Sequence, residues 1–284
     1  MAKNWIDDYT LAGKTAVVTG AAGELCGAMS EALAAIGVKV ALLDINKEKA
    51  EAKASVIRDA GGEARAFPCS VLDLEDLKKQ KEVIRGLWGE PDILINGAGG
   101  NHPQGSTDKE FFEPGDLEDP DITSFFDLPL EGFTKVFDLN FMGTFLPTQV
   151  FAEGMAKRKK GVILNISSMN YYTPLTKIPA YAAAKAAISN FTAWLAVHFA
   201  HVGIRVNAIA PGFLMTEQLK FLHIDQQTGE YTERAKKVLA HTPMERYGEP
   251  GELIGTVIWL LSDAAKFVTG VTVPIDGGFS SFSI

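Results

Sequence analysis

Tyr181 and Lys185 stand four positions apart in the run Tyr-Ala-Ala-Ala-Lys. On a helix this spacing puts both side chains on one face, so a phenol and an ammonium can converge on one small volume. A free tyrosine titrates near about 10, and lowering that to about 7 takes roughly 4 kcal/mol. A cation about 4 Å away supplies about that much at an effective dielectric near 20, and the N-terminus of the helix adds to it. Such a tyrosine takes a proton from an alcohol during oxidation and gives one back during reduction. Ser168 lies thirteen positions earlier. Its hydroxyl can hold a substrate oxygen where charge develops.

A second constellation lies near the start of the chain. Thr19 to Gly27 reads T-G-A-A-G-E-L-C-G, directly after an apolar run. Glycines between a strand and a helix let the backbone approach a pyrophosphate, whose charge faces the helix N-terminus. Asp44 follows 24 positions after Gly20, at the end of the next apolar run. A carboxylate there accepts both ribose hydroxyls of an adenosine and repels a 2′-phosphate. It is followed by Ile45-Asn46, with no Arg alongside. The expected cofactor is therefore NAD(H) rather than NADP(H).

These residues need a frame. Apolar runs at Ala16–Val18, Val38–Leu43, Ala64–Phe67, Asp92–Ile95, Val162–Ile166, Ile204–Ile209 and Val271–Ile275 read as seven strands. They are continuous rather than alternating, which suits strands buried on both faces. Helical patterns at Cys26–Ile36, Lys47–Ala60, Leu74–Trp88, Phe133–Ala156, Tyr181–His201 and Pro250–Leu261 separate them, with Asp73 as a cap. The alternation predicts an α/β fold, a single Rossmann-type doubly wound domain over residues 1–284 with a mainly parallel seven-stranded sheet. Two segments interrupt the rhythm, an acidic, Pro-rich stretch near 97–130 and an irregular one near 213–230. Both follow strands, so both belong at the carboxyl edge of the sheet, where ligands bind in such folds.

Composition narrows the function classes. The formal net charge is −8 and the longest basic run is the four residues Lys157–Lys160, which speaks against a nucleic-acid partner. That run reads as a solvated helix end. Met1–Thr10 has no apolar signal core and no run is long enough to span a membrane, so a soluble, cytoplasmic protein is expected. Two cysteines, Cys26 and Cys69, suit reduced thiols rather than a disulfide scaffold. His198 and His201 lie a turn apart without a third ligand, so no metal site is expected.

Taken in order, the glycine turn, Asn96-Gly-Ala-Gly99, Asn140, Ser168, Tyr181, Lys185 and Pro211-Gly212 resemble the short-chain dehydrogenase/reductase family, from about Lys14 to Gly278. The resemblance implies roles. Tyr181 would be the catalytic acid/base; Lys185 would bind the nicotinamide ribose and depress the tyrosine pKa; Ser168 would orient the substrate; and Asn140 would hold a water in a proton relay. Gly20, Gly23, Leu25, Asp44 and Val71, with Asn96, Gly97 and Ala98, would cradle the cofactor, and Asn96 to Gly99 would also steady the sheet. Pro211, Gly212 and Thr216 would border the nicotinamide. The turn departs from the usual T-G-x-x-x-G-x-G, carrying Glu24 and Cys26 where glycines are usual, so Glu24 is a poor phosphate contact. Ser70 stands where an Asp near the adenine is usual.

The phrases at Asn96–Pro103, Ser167–Asn170, Pro174–Tyr181 and Ala210–Gln218 look like the mannonate oxidoreductase (fructuronate reductase) branch of that family. The resemblance implies interconversion of D-mannonate and D-fructuronate. Lys177 or Arg246 would pair the sugar-acid carboxylate, with Asn101, His102 and Asn170 on its hydroxyls. The alternatives are a dehydrogenase of another polyol, a gluconate-type acid or a ketone, and a non-catalytic dinucleotide binder. Family members commonly form homotetramers, and the apolar tail from Val271 to Ile284 suits a subunit contact in a homo-oligomer, tetramer or dimer.

Overall fold

The protein is described from a computed structural model covering residues 5–283. Met1–Asn4 of the N-terminal stretch and Ile284 of the apolar tail lie outside the described residues.

Seven strands form one sheet: β1 (Thr15–Thr19), β2 (Lys39–Asp44), β3 (Glu63–Pro68), β4 (Ile93–Asn96), β5 (Gly161–Ile166), β6 (Ile204–Pro211) and β7 (Thr272–Ile275). Their order is β3-β2-β1-β4-β5-β6-β7, and every pairing is parallel. The Rossmann-type α/β sheet is thus wholly parallel, not just mainly so. Its central strands are buried on both faces, as their continuous apolar sequence requires. On one face Val18, Leu42, Ile93 and Ile95 pack beneath α1 (Glu24–Ala35), α2 (Lys47–Asp59) and, further along, α9 (Ile254–Leu261). On the other, Val17, Leu94, Ile163 and Val206 pack beneath α3 (Leu74–Trp88), α5 (Gly143–Arg158) and α6 (Pro179–His198). Asp73 caps α3 as predicted, accepting from Glu75 N and Asp76 N at 3.0 Å each.

The structure corrects several element readings. The expected helix Phe133–Ala156 is α4 (Leu130–Phe137), a wide π turn (Asp138–Met142), then α5. Pro147 lies within α5 and has no N–H to return to the carbonyl of Gly143, so the ladder is already broken at this join. The turn carries Asn140. Helix α6 starts at Pro179, a favoured first-turn residue, which puts Tyr181 within its first turn; the expected stretch to His201 closes as a separate 3-10 turn, Ala200–Val202. The segment 213–230 is not irregular throughout: Thr216 caps α7 (Glu217–His223), and α8 (Glu233–Ala240) follows. Pro250–Leu253 is a 3-10 turn ahead of α9.

The segment 97–130 holds three short 3-10 turns and its own polar ties. Thr123 N donates to Asp108 at 2.7 Å, and Lys109 pairs with Asp116 at 2.6 Å and Glu113 at 2.9 Å. The C-terminal tail packs partly on its own chain, with Phe279 edge-on to Phe213 and His241. Lys157 and Arg158 end α5, and Lys159 closes it in the left-handed region at φ 54°. Among the described residues, no helix is long and apolar enough to cross a membrane.

Candidate active site

The crevice forms where the sheet order reverses, at the carboxyl ends of β1 and β4. Tyr181 and Lys185 project from the first turns of α6 into a cleft of about 560 Å³. The Tyr181 side chain lies beside the Ser168 hydroxyl, close enough for it to act on the phenol. Ser168 Oγ accepts from Asn170 N at 3.2 Å and Asn170 Nδ2 at 3.0 Å, so its orientation is set by its own turn. Lys185 Nζ donates to Ile166 O at 2.8 Å and lies 5.4 Å from the centre of the Tyr181 ring.

This geometry corrects the expected depression of the tyrosine. Burial pushes the Tyr181 phenol up, with the neighbouring Ser168 hydroxyl opposing it. Burial pushes the Lys185 ammonium down to about 8. The lysine is directed at the strand carbonyl and the ring rather than the hydroxyl, so the chain's own groups keep Tyr181 protonated. In that state it is a proton donor.

Asn140 acts as a clamp. Its Nδ2 donates to Gly100 O at 2.7 Å and Val136 O at 2.8 Å, and its Oδ1 accepts from Gly100 N at 3.2 Å. Gly99 must be small here, because a Cβ would come within 2.5 Å of Asn140 Oδ1. The π turn places this amide against the loop after β4, which straight helix geometry would carry past it.

The other wall is the glycine turn. Gly20 takes φ +64°, and a Cβ there would come within 2.8 Å of Ala98. Thr19 Oγ1 accepts from Gly97 N at 3.0 Å and Ala98 N at 3.2 Å, locking the two loops together. Cys26 fills the space of the missing motif glycine, and Gly97 yields to it, since a Cβ there would collide with Cys26 Sγ. Burial pushes the Cys26 thiol up to about 12, so it is packing rather than a nucleophile. Asp44 accepts from Ala22 N at 3.0 Å and Asn46 N at 2.9 Å and lines the cleft with Gly23, Leu25, Val71, Ala98 and Thr216. A small-residue turn at a helix N-terminus, a carboxylate at the end of β2 and a buried lysine below Tyr181 together fit a nicotinamide dinucleotide.

Some expected contacts are not brought to the cleft. Asn96 is buried beneath it, with Nδ2 donating to Thr148 Oγ1 and Asn165 Oδ1 at 2.9 Å each, so its side chain steadies the sheet and does not face the cofactor. Pro211 ends β6, and Gly212 packs against Asp276; neither lines this cleft. Asn101 bonds Ser106 at 2.9 Å. His102 caps the Pro103 turn through Gln104 N at 3.3 Å. Asn170 supports Ser168 and accepts from Leu175 N at 2.9 Å. Arg246 is held by both carboxylate oxygens of Glu252, at 2.8 and 2.7 Å, which engages the guanidinium meant for a substrate carboxylate. Of the five substrate candidates only Lys177 has a side chain without a hydrogen bond or ion pair among the described residues. Sequence reasoning missed Leu139 and Ile166, which line the cleft; Ile166 directly precedes Ser167-Ser168, a signal available in the chain.

Comparison with known proteins agrees with this geometry. Residues 20–280 match the family described as Enoyl-(Acyl carrier protein) reductase. The uncharacterized oxidoreductase UxuB of Bacillus subtilis (strain 168) is 52% identical over 274 residues, 96% of this chain and 97% of that one. A Haemophilus influenzae protein provisionally described as a D-mannonate oxidoreductase, solved with bound NAD, superposes with a TM-score of 0.92 at 48% identity over 99% of each chain. A gluconate 5-dehydrogenase from Burkholderia cenocepacia J2315, solved with NADP and tartrate, superposes at 0.82 with 28% identity, covering 99% of this chain and 100% of that one. With its parallel sheet, glycine turn and Ser168–Tyr181–Lys185 arrangement, this chain belongs to the short-chain dehydrogenase/reductase family and is an NAD(P)-dependent oxidoreductase.

Proposed function

We propose that this enzyme interconverts D-mannonate and D-fructuronate with NAD(H), in the cytoplasm and as a homo-oligomer. The observation that carries the chemistry is Tyr181 beside Ser168 at the mouth of α6, with the buried Lys185 under its ring. A bound nicotinamide dinucleotide supplies or accepts the hydride. The chain does the rest: Ser168 holds the substrate oxygen, Tyr181 donates its proton to that oxygen in reduction or removes it in oxidation, and Lys185 carries the ribose and restores the charge balance as the proton moves. Asn140 keeps the loop at Gly100 in place beside them. Asp44 supports NAD(H), because a carboxylate at the end of β2 favours ribose hydroxyls and repels a 2′-phosphate.

The likeness to the Haemophilus protein supports mannonate, and that to the Burkholderia enzyme supports a gluconate-type acid as the second reading. Both substrates are open-chain hydroxy acids with a carboxylate remote from the reacting carbon. An NADH-oxidation screen over D-fructuronate, 5-keto-D-gluconate and neutral ketoses separates them. Fastest turnover on D-fructuronate is expected. Preference for 5-keto-D-gluconate makes the second reading correct, and preference for a neutral ketose removes both.

A further inference from the structure

The five substrate candidates leave one unengaged cation, Lys177, expected from the sequence to pair the sugar-acid carboxylate, and the structure gives it a cationic neighbour. A pocket of about 240 Å³ supplies one. Lys177, Arg234, Lys237 and His241 line it, with Glu110 and Glu233, over an apolar floor that includes Phe213 and Phe279. Its charges sort themselves. Lys237 pairs with Glu110 at 3.2 Å, and Glu233 pairs with Lys236 at 2.7 Å. Lys177 and Arg234 remain, and among the described residues neither side chain makes a hydrogen bond or ion pair. Asp108 lies within the electrostatic reach of Lys177, but its carboxylate is engaged by Thr123 N at 2.7 Å. An anion entering this pocket meets two cations and displaces no existing pair.

We propose that Arg234 and Lys177 form the seat for the substrate carboxylate, at the outer end of the substrate pocket. The inference rests on the reading of the substrate as a sugar acid and adds a residue to it. Three segments meet at the seat. The 97–130 segment reaches it through Glu110 and through Thr107 N, which donates to Lys177 O at 2.8 Å. The turn before α6 brings Lys177, and α8 brings Arg234. Lys177 holds φ 70°, a left-handed backbone that a non-glycine residue keeps where its surroundings impose it; the bond from Thr107 is one such constraint. Lys177 precedes Tyr181 by four residues, so their Cα atoms lie within about 15 Å whatever path the chain takes. Phe213, on the floor, follows Gly212 at the end of β6. The pocket shares no lining residue with the cleft that holds Tyr181, and the turn from Lys177 into α6 links the two; an acid whose carboxylate stands several carbons from its ketone places its two ends in separate sites of this kind. A guanidinium binds a carboxylate through two parallel hydrogen bonds, and an ammonium adds a point charge.

The test uses the full-length enzyme with NADH. Arg234→Met is expected to raise KM for D-fructuronate about tenfold while moving KM for NADH and kcat by less than about twofold, with Arg234→Lys in between. A second measurement does not depend on turnover. Calorimetric titration of the NAD-loaded enzyme with D-gluconate and with sorbitol compares a carboxylate with a matched neutral polyol, and Arg234→Met is expected to weaken gluconate alone. The seat is overturned if Arg234→Met leaves gluconate binding unchanged, or weakens sorbitol equally. If the wild-type enzyme prefers neutral ketoses, the sugar-acid reading has failed, and the gluconate–sorbitol difference still judges the seat on its own.

Discussion

The carboxylate of Glu24 accepts the backbone N–H of Glu217 on both oxygens, at 2.9 and 3.1 Å. Glu24 opens α1, where the family usually has a glycine, and Glu217 opens α7, so one side chain ties the phosphate turn to the segment on the far wall of the cleft. It also satisfies a donor that the first turn of α7 cannot satisfy internally.

Glu24→Ala removes that tie. Losing it costs about 1 kcal/mol, which corresponds to roughly fivefold faster amide exchange at Glu217 and its neighbours. Hydrogen exchange read by mass spectrometry over 213–230 checks this. Glu24→Gln keeps one acceptor and should recover part of the protection. Unchanged exchange in the alanine variant would mean the contact does not order α7.

Lys185 combines a structural cost with a functional role. Its pKa is lowered by burial to about 8, against 10.5 for a free lysine. The unfolded chain therefore binds more protons between those values, and stability rises as pH climbs from about 8 toward 10.5. At pH 7 the buried ammonium is a burden of about 3 kcal/mol, and Lys185→Met lifts it while leaving the Ile166 carbonyl without its donor, a loss of about 1–2 kcal/mol. A net gain near 1 kcal/mol in chemical denaturation at pH 7, disappearing by pH 10.5, is expected alongside a collapse of kcat. A variant that is less stable at both pH values contradicts this account.

Tyr181→Phe keeps the ring and removes the proton. The loss in kcat should be at least about a hundredfold, with KM for NADH held within a few fold. Steady-state kinetics decides it, and comparable loss in both parameters would point to a structural role for the hydroxyl.

Asp44→Asn should raise the ratio of kcat/KM for NADPH over NADH by about tenfold, because the repulsion of a 2′-phosphate is gone while the hydrogen bond to Ala22 N can persist. Parallel initial rates with the two cofactors measure it. No change in the ratio would remove Asp44 as the discriminator.

His223 is fully buried, with Nδ1 2.7 Å from the Tyr247 hydroxyl and Nε2 without a partner among the described residues. Burial, with the nearby Arg234 charge, pushes its pKa down to about 4. A histidine depressed in the fold contributes stability above its ordinary value of 6.5 and loses it as pH falls toward 4. The melting temperature should therefore fall more steeply from pH 6.5 to pH 4 in the wild type than in His223→Phe. Parallel slopes would show that carboxylates alone set the acid limit.

Much of the fold and the reacting set was legible in the chain because each rests on local pattern. Continuous apolar runs mark strands buried on both faces, Asp73 marks a helix start, and Tyr181 and Lys185 share a face because 3.6 residues make a turn. The glycine turn and Asp44 follow from where strands end. What the chain could not specify is which polar side chains already have partners. His102 and Arg246 look as available as Lys177 in sequence, yet one caps its own turn and the other is paired with Glu252 six residues on. Arg234 sits in E-R-A-K-K, which reads as a solvated helix surface. Only packing α8 against the turn before α6 reveals that it faces the same pocket as Lys177. The direction in which burial moves the Tyr181 phenol is likewise not legible from spacing, because desolvation acts through the whole environment of a group and Lys185 is directed at a strand carbonyl. Local periodicity thus determined the elements and the catalytic face, whereas long-range pairing and desolvation, which exist only after the segments meet, decided which charges remain free to bind.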